Sequence, residues 1–260
     1  MFWLQMNGPV YTYNMRRHLI DRVEGGKAFL NENELHHLTR VLRAREGDLF
    51  EGLDSRGNRY RCDLRRGSGG WYGKILDSVT GSCESPVRIT LAQALIKKSK
   101  FEWVVQKAVE LGVVEIVPVQ TERTEVRLNQ QREDRKMQRW QRILEEAVKQ
   151  SGRSVLPAVG APVLLDELLN RDSNSICLVM DEEGGTDLKG LRKRLAGLNS
   201  FTVLVGPEGG WGARDRELFS VHSAISVNLG PRILRTETAS VVALSLLQYE
   251  FGDLGGSCPG

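Results

Sequence analysis

With 260 residues, 40% hydrophobic and 27% charged, the chain has the composition of a folded globular protein and the length for two domains. No apolar run reaches the ~18 residues of a membrane span, and Met1 to Asn14 lacks the basic start and long apolar stretch of a signal peptide. A formal net charge of +3 is too small to establish a polyanionic partner, and four scattered cysteines (Cys62, Cys83, Cys177, Cys258) argue against a disulfide framework and a zinc site, with reduced thiols in the cytoplasm the simplest expectation.

The first third is β-rich. Asp48–Leu53, Tyr60–Leu64 and Trp71–Leu76 are short strand-like runs separated by Asp, Ser, Gly and Asn. One helix is predicted before them, with Asn33 as its cap and Leu35, Leu38, Val41 and Leu42 on one face. Close-spaced short strands predict a small barrel. Charge is uneven here: Arg16 to Lys74 holds thirteen Lys/Arg against nine Asp/Glu. Thr80–Pro86 reads as a linker.

Strands and helices then alternate. Val87, Ile89 and Leu91 alternate as a strand; Ser99 and Glu102 read as a capping box for a helix carrying Phe101, Val104, Val105, Ala108 and Leu111, stopped by Gly112. Val113–Val119 is a strand, and Met137, Trp140, Leu144, Ala147, Val148 and Ser151 repeat at helical spacing up to Gly152. From Thr121 to Arg153, nine Lys/Arg (Arg127 and Arg132 among them) face six Asp/Glu, which is either an RNA-tracking surface or a solvated face. Further strands are predicted at Ile176–Met180, Phe201–Val205 and Ala224–Leu229. This order implies a mostly parallel sheet with helices on both faces.

Two loops carry the chemistry. Val203-Leu204-Val205-Gly206-Pro207-Glu208-Gly209-Gly210 ends one strand; Leu229-Gly230-Pro231-Arg232-Ile233-Leu234-Arg235-Thr236-Glu237-Thr238-Ala239 turns through a basic elbow into a helix. Placed at the ends of neighbouring strands, they would wall one pocket, the usual ligand position in an open α/β sheet. Neither loop has the Gly-Lys-Ser/Thr ending of a P-loop or a G-x-G-x-x-G fingerprint. Glu208 would repel a phosphate, so a ligand of positive character or a neutral nucleoside suits the pocket, which points toward S-adenosylmethionine.

These two segments closely resemble the RsmE-type 16S rRNA uridine-N3 methyltransferases of the SPOUT superfamily. So do Leu95-Ile96-Lys97-Lys98, Gln106-Lys107-Ala108, Glu110-Leu111-Gly112, Glu122-Arg123-Thr124, Arg139-Trp140 and Gln150-Ser151-Gly152-Arg153, while His37, Val41-Leu42-Arg43 and Gly47-Asp48 match the family's N-terminal domain. The resemblance implies an extra N-terminal segment over 1–14, an RNA-binding PUA-like β-barrel over 15–84, a trefoil-knotted SPOUT methyltransferase domain over 85–254 and a tail over 255–260. It also implies S-adenosylmethionine as methyl donor with no metal, a homodimer, 16S rRNA in the assembled 30S subunit as partner, and no membrane. Trp211-Gly212 departs from the family's Phe-Ser, a cap change expected to cost a few tenths of a kcal/mol; Lys149 and Lys98-Ser99 depart from Glu and Gly-Asp.

Together, the loops and the resemblance assign the donor site to Val205, Gly206, Gly209, Gly210, Leu229, Gly230, Ile233 and Leu234, with Met180 packing on it. The acceptor N3 must lose a proton while a cation steadies the charge on its carbonyl oxygens. Arg235 is expected as that cation, and Glu237 or Glu208 as the base. The structural alternative pairs Arg235 with Glu237 or another carboxylate. Arg16, Arg17, Arg40, Arg43, Arg123 and Arg153 are expected to meet RNA, while His36 and His37 read as packing or surface residues. The alternatives in function are another rRNA or tRNA nucleotide as target, and a non-catalytic RNA-binding ribosome-assembly protein.

Overall fold

The computed structural model describes residues 15–80, 84–125, 130–171 and 174–256. The segment 1–14, the middle of the linker with Cys83, Arg127, the Arg132 side chain, and the chain end with Cys258 lie outside the described residues. Two compact units form: one from the chain up to the linker together with Gly152–Val155, the other from Glu84–Ser151 and Leu156–Gly256.

In the first unit, β1 (Arg17–Glu24), β2 (Lys27–Leu30), β3 (Leu49–Leu53), β4 (Asn58–Gly67) and β5 (Gly70–Thr80) close into a barrel in the order β1-β2-β5-β4-β3. The first hairpin escaped the sequence reading although Gly25-Gly26 marks it: both have positive φ (56° and 73°), as a two-residue hairpin turn requires. Ile20, Ala28, Phe50, Cys62 and Leu64 fill the interior, joined by Leu38. Between β2 and β3 lie α1 (Glu32–His36) and a π-helical turn, His37–Val41.

The predicted cap is corrected here. Asn31, not Asn33, caps α1, its Oδ1 accepting from Glu34 N at 2.8 Å. The wider π turn rotates the following positions, so Leu38 is buried while Val41 stands 59% exposed.

The second unit contains β6 (Arg88–Ala94), α2 (Lys98–Glu110), β7 (Glu115–Gln120), α3 (Gln130–Ser151), β8 (Ala158–Val159), β9 (Val163–Leu164), α4 (Leu165–Leu169) and β10 (Ile176–Met180). β11 (Thr186–Asp187), α5 (Leu188–Leu195), β12 (Ser200–Val205), α6 (Ala213–Val221), β13 (Ile225–Asn228) and α7 (Thr236–Phe251) follow. The sheet runs β11-β13-β10-β12-β6-β7-β8, with β9 also on β7, and its pairings are parallel. Its central strands are nearly continuous apolar runs because helices cover both faces. On one face Ala92, Val117, Val179 and Leu204 pack with Leu165 and Leu168 of α4 and Phe219 of α6; on the other lie α2 and α7, with α3 beside α2. Among the described residues no helix is long and apolar enough to cross a membrane.

The Ser99–Glu102 capping box does not form. Lys97 is the N-cap of α2, with no side-chain cap, and Glu102 is drawn away to Arg139 on α3, whose Nη2 donates to it at 2.8 Å. A local capping bond loses here to a charge-assisted bond between helices.

Candidate functional site

Three parallel strands end together. β10 delivers Met180, Asp181 and Glu182; β12 delivers Val205 and the glycine loop; β13 delivers Asn228, Leu229 and Gly230. The two loops do not sit on adjacent strands as the sequence suggested, because β10 pairs with both β12 and β13 and lies between them. A cavity of about 580 Å³ opens there, a size typical of small-ligand sites. Met180, Val205, Gly206, Gly210, Leu229, Gly230, Ile233 and Leu234 line it, as do Glu208 and Arg235. Gly209 is not among the lining residues; its carbonyl accepts from Arg123 Nη1 at 2.9 Å.

The glycines have different reasons. A Cβ on Gly206 would lie 3.1 Å from the Trp211 ring, whose Nε1 donates to the Met180 carbonyl at 2.8 Å. Gly210 has φ +68°, and a Cβ there would meet Glu182 Oε1 at 2.5 Å. The sequence thus keeps backbone, rather than side chains, against the cavity.

A buried polar network fixes the elbow. Gln93 on β6, fully buried, donates from Nε2 to Thr236 Oγ1 at 3.1 Å, and Thr236 Oγ1 donates to the Gly206 carbonyl at 2.6 Å. Ser240 Oγ lies 2.5 Å from Gln93 Oε1 and 2.9 Å from the Thr236 carbonyl. The first turn of α7 is therefore tied to both the sheet and the glycine loop.

At the rim Lys100 of α2 reaches two carboxylates, Glu208 at 3.2 Å and Glu237 at 3.4 Å. Its hydrogen bond to Glu208, with Glu237 beside it, raises its pKa above the ordinary lysine value. Glu237 thus pairs with Lys100 and not with Arg235, which is exposed and has no ion pair among the described residues. At the end of β10 Asp181 is buried against Arg216 (2.5 and 3.2 Å), which also holds Glu183 at 2.9 Å, leaving Glu182 without an ion pair among the described residues. Asp181 raises the Arg216 pKa. Among the described residues no group of three or more His, Cys, Asp or Glu side chains could hold a metal ion.

Glu122-Arg123-Thr124 braces the glycine loop. Glu122 Oε2 accepts from Arg214 N at 2.9 Å, and Asp215 accepts from Glu122 N at 3.1 Å and Gly212 N at 2.9 Å. Glu122 fills the space a Cβ on Gly212 would need, so a cap acceptor from another loop replaces the serine expected there.

Of the remaining predicted cations, Arg16, Arg40 and Arg43 are exposed. Arg17 is half-buried and paired with Glu51 at 2.9 Å. Arg153 is buried at 3% exposure; Gly152 has a positive φ of +77°, and in the barrel unit Ser154 O accepts from Gly57 N. His36 and His37 are exposed. Sequence reasoning missed Lys100, Glu182 and Gln93; Lys100 was hidden in the run Lys97-Lys98-Ser99-Lys100, which looks like a solvated face.

Among known families, residues 83–248 match the model of an RNA methyltransferase domain and residues 30–69 that of an RNA methyltransferase PUA domain. A ribosomal RNA small subunit methyltransferase E from Bacillus subtilis is 31% identical over 248 residues, covering 91% of this chain and 97% of its own length. A Synechocystis protein of the same name is 36% identical over 219 residues, covering 83% and 71%. The crystal structure of a ribosomal RNA small subunit methyltransferase E from Neisseria gonorrhoeae bound to S-adenosyl methionine matches with a TM-score of 0.82 at 32% identity, covering 92% of this chain and 99% of that one.

Proposed function

We propose a function from one premise: the chain belongs to the ribosomal RNA small subunit methyltransferase E family of RNA methyltransferases. It transfers the methyl group of S-adenosylmethionine to N3 of a uridine in 16S rRNA. The observation that carries this reading is the cavity at the three strand ends, where backbone, apolar side chains and the Glu182 carboxylate meet.

The cavity fits the donor. Ile233, 89% exposed at its mouth, and Met180, Val205, Leu229 and Leu234 offer apolar surface for a flat base, and Glu182 suits a cationic ligand. When bound, S-adenosylmethionine supplies a methyl group already electrophilic on its sulfonium. Thr236 and Gln93 hold the Gly206 backbone against the ligand, and Gly210 keeps the wall free of a side chain. Arg235 steadies the negative charge that grows on the acceptor's carbonyl oxygens as the N3 proton leaves. Glu208, the more exposed of the Lys100-bound carboxylates at 42% against 17%, takes that proton, with Glu237 as the alternative.

The domain division at 84/85, the trefoil-knotted threading, the homodimer, the assembled 30S subunit as substrate and a cytoplasmic location belong to the same proposal. The threading is supported by Thr236, which lies back against Gly206 and Gln93. Arg16, Arg40 and Arg43 would contact RNA from the barrel.

The test incubates the protein and radiolabelled donor with 30S subunits lacking methylation, then maps the modified base by nuclease digestion and mass spectrometry. Label on N3 of one uridine in 16S rRNA is expected. Label on another base keeps the chemistry and overturns the target; donor binding with no transfer to any rRNA overturns the function. Arg235→Ala should lower kcat far more than it raises the donor Kd.

A further inference from the structure

Helix α2 places Lys100 in the methyl-transfer cavity, and three residues on Trp103 stands 43% exposed. A spacing of three sets the two side chains side by side on the helix surface, about 5–6 Å apart at Cβ. Trp103 lines a second cavity, of about 740 Å³, in the groove between α2 and α3. The groove is held rigid: the Phe101 and Trp140 rings lie 4.7 Å apart, and Arg139 bonds Glu102 through Nε and Nη2. That bond keeps the Glu102 carboxyl below the usual carboxylate range, so Glu102 is ionised and already matched by Arg139. Glu146, the other acid of the groove, lies 2.7 Å from Lys149.

Arg135 and Arg142, four residues before and three after Arg139, lie on the same face of α3. Both are exposed and have no ion pair among the described residues. Gln106 and Gln138 add exposed amides. The groove thus offers an aromatic face, groups that donate and accept hydrogen bonds, and two uncommitted guanidinium ions. An apolar helix would leave those cations buried without partners, and an acidic peptide would leave the indole face unused. A nucleotide chain satisfies all three features, because bases stack on aromatic rings and phosphates meet arginine.

We propose that the α2–α3 groove binds single-stranded RNA, with a base stacked on Trp103 and backbone phosphates on Arg135 and Arg142, as the continuation of the substrate strand beyond the methyl-transfer cavity. This rests on the RNA substrate of the proposed function.

The test uses the full chain, a fluorescein-labelled oligouridine of about a dozen nucleotides, and anisotropy across a salt series. Trp103→Ala should weaken binding about tenfold, within the range measured for loss of one base–aromatic stack, whereas Trp103→Phe retains affinity. Arg135→Gln with Arg142→Gln should lower the slope of log K against log salt by about 1.4, since each single-strand phosphate contact contributes about 0.7. Donor affinity by calorimetry should be unchanged in all three variants. Unchanged RNA affinity and slope overturn the proposal, as does a Phe variant as weak as the Ala one. So does a dimer turned monomer in sedimentation with RNA affinity intact, which would assign the groove to a second copy. Methyl transfer to 30S subunits by the wild type is read in parallel. Its failure with the RNA effects present removes the proposed function alone; its success with RNA binding indifferent to the variants removes the groove alone.

Discussion

Thr236→Val isolates the hydroxyl that joins the two halves of the proposed donor site. Thr236 is 6% exposed, and valine matches its shape, so the change opens no cavity but deletes one donor and one acceptor. The Gly206 carbonyl loses its 2.6 Å bond and one Gln93 N–H loses its 3.1 Å bond. Each orphaned buried group costs about 1–3 kcal/mol, and since Gly206 is only half-buried the total should be about 2–4 kcal/mol. For a protein of this size that corresponds to a fall in Tm of roughly 4–12 °C. Two units can melt separately, so the transition to follow is the one that added S-adenosylmethionine shifts upward. Calorimetry should show weaker donor binding as well, about tenfold for each ~1.4 kcal/mol transmitted to the loop. Thr236→Ser keeps the hydroxyl and should restore most of both quantities. A valine variant that melts within about a degree of wild type and binds donor normally refutes the argument that this hydroxyl holds the elbow to the glycine loop.

The glycines should separate cleanly: Gly210→Ala, at φ +68° and against Glu182, should cost about 1–2 kcal/mol and weaken donor binding, whereas Gly209→Ala, 3.5 Å from the Arg123 Cβ, should leave affinity unchanged; equal losses in calorimetry would contradict the placement of the cavity. Because Glu208 and Glu237 raise the Lys100 pKa above 10.5, their ion pairs stabilise the fold fully below that pH and lose the contribution as pH climbs through the raised value. The Tm difference between wild type and Lys100→Met should therefore be flat from about pH 7 to 10 and shrink above it, and a change already visible near neutrality would refute the assignment. Desolvation pushes the thiols of buried Cys62 and half-buried Cys177 up to about 12, so peptide mapping after iodoacetamide at pH 8 should find both unmodified in the folded protein and alkylated after denaturation; rapid native labelling of either would contradict the raised pKa.

How much of this was legible in the sequence depends on the range of the interaction. The runs Ile176–Met180 and Phe201–Val205 and the stop at Gly112 announce themselves within a few residues, and the structure places them as read. Strand order does not: nothing between 176 and 229 says that β10 lies between β12 and β13, because parallel neighbours are chosen by crossovers rather than by local pattern. The Lys100–Glu208 pair spans 108 residues and could not be inferred from a charge run. Caps failed for the same reason at shorter range. Asn31 and Asn33 are equivalent on paper, and Ser99 loses its expected partner because Glu102 meets Arg139 from another helix. The burial of Arg153 is not legible either, because a polar stretch around a glycine reads as surface, whereas Gly152 takes a left-handed turn there.

The distribution of charge around the cavity ties these points to the chemistry. Read from the sequence, Glu208 repels a phosphate, yet in the structure Lys100 sits against Glu208, so that carboxylate alone does not set the local field. The repulsion passes to Glu182 at the end of β10, while Arg232 and Arg235 stand on the elbow beyond β13. Carboxylates and cations thus both line the cavity. In the proposed reaction the donor would carry its positive charge on sulfur and the acceptor a negative charge from loss of its N3 proton, and the transfer would leave that sulfur and the base uncharged. Removal of water strengthens every charge interaction in such a site, so the two charged reactants need opposite counter-charges before they meet. A polyphosphate would find the Glu182 wall repulsive, and an uncharged acceptor would gain little from Arg235. On that reading the mixed charge of the cavity suits this pair of reactants, and it arises from three strand ends that are far apart in the sequence.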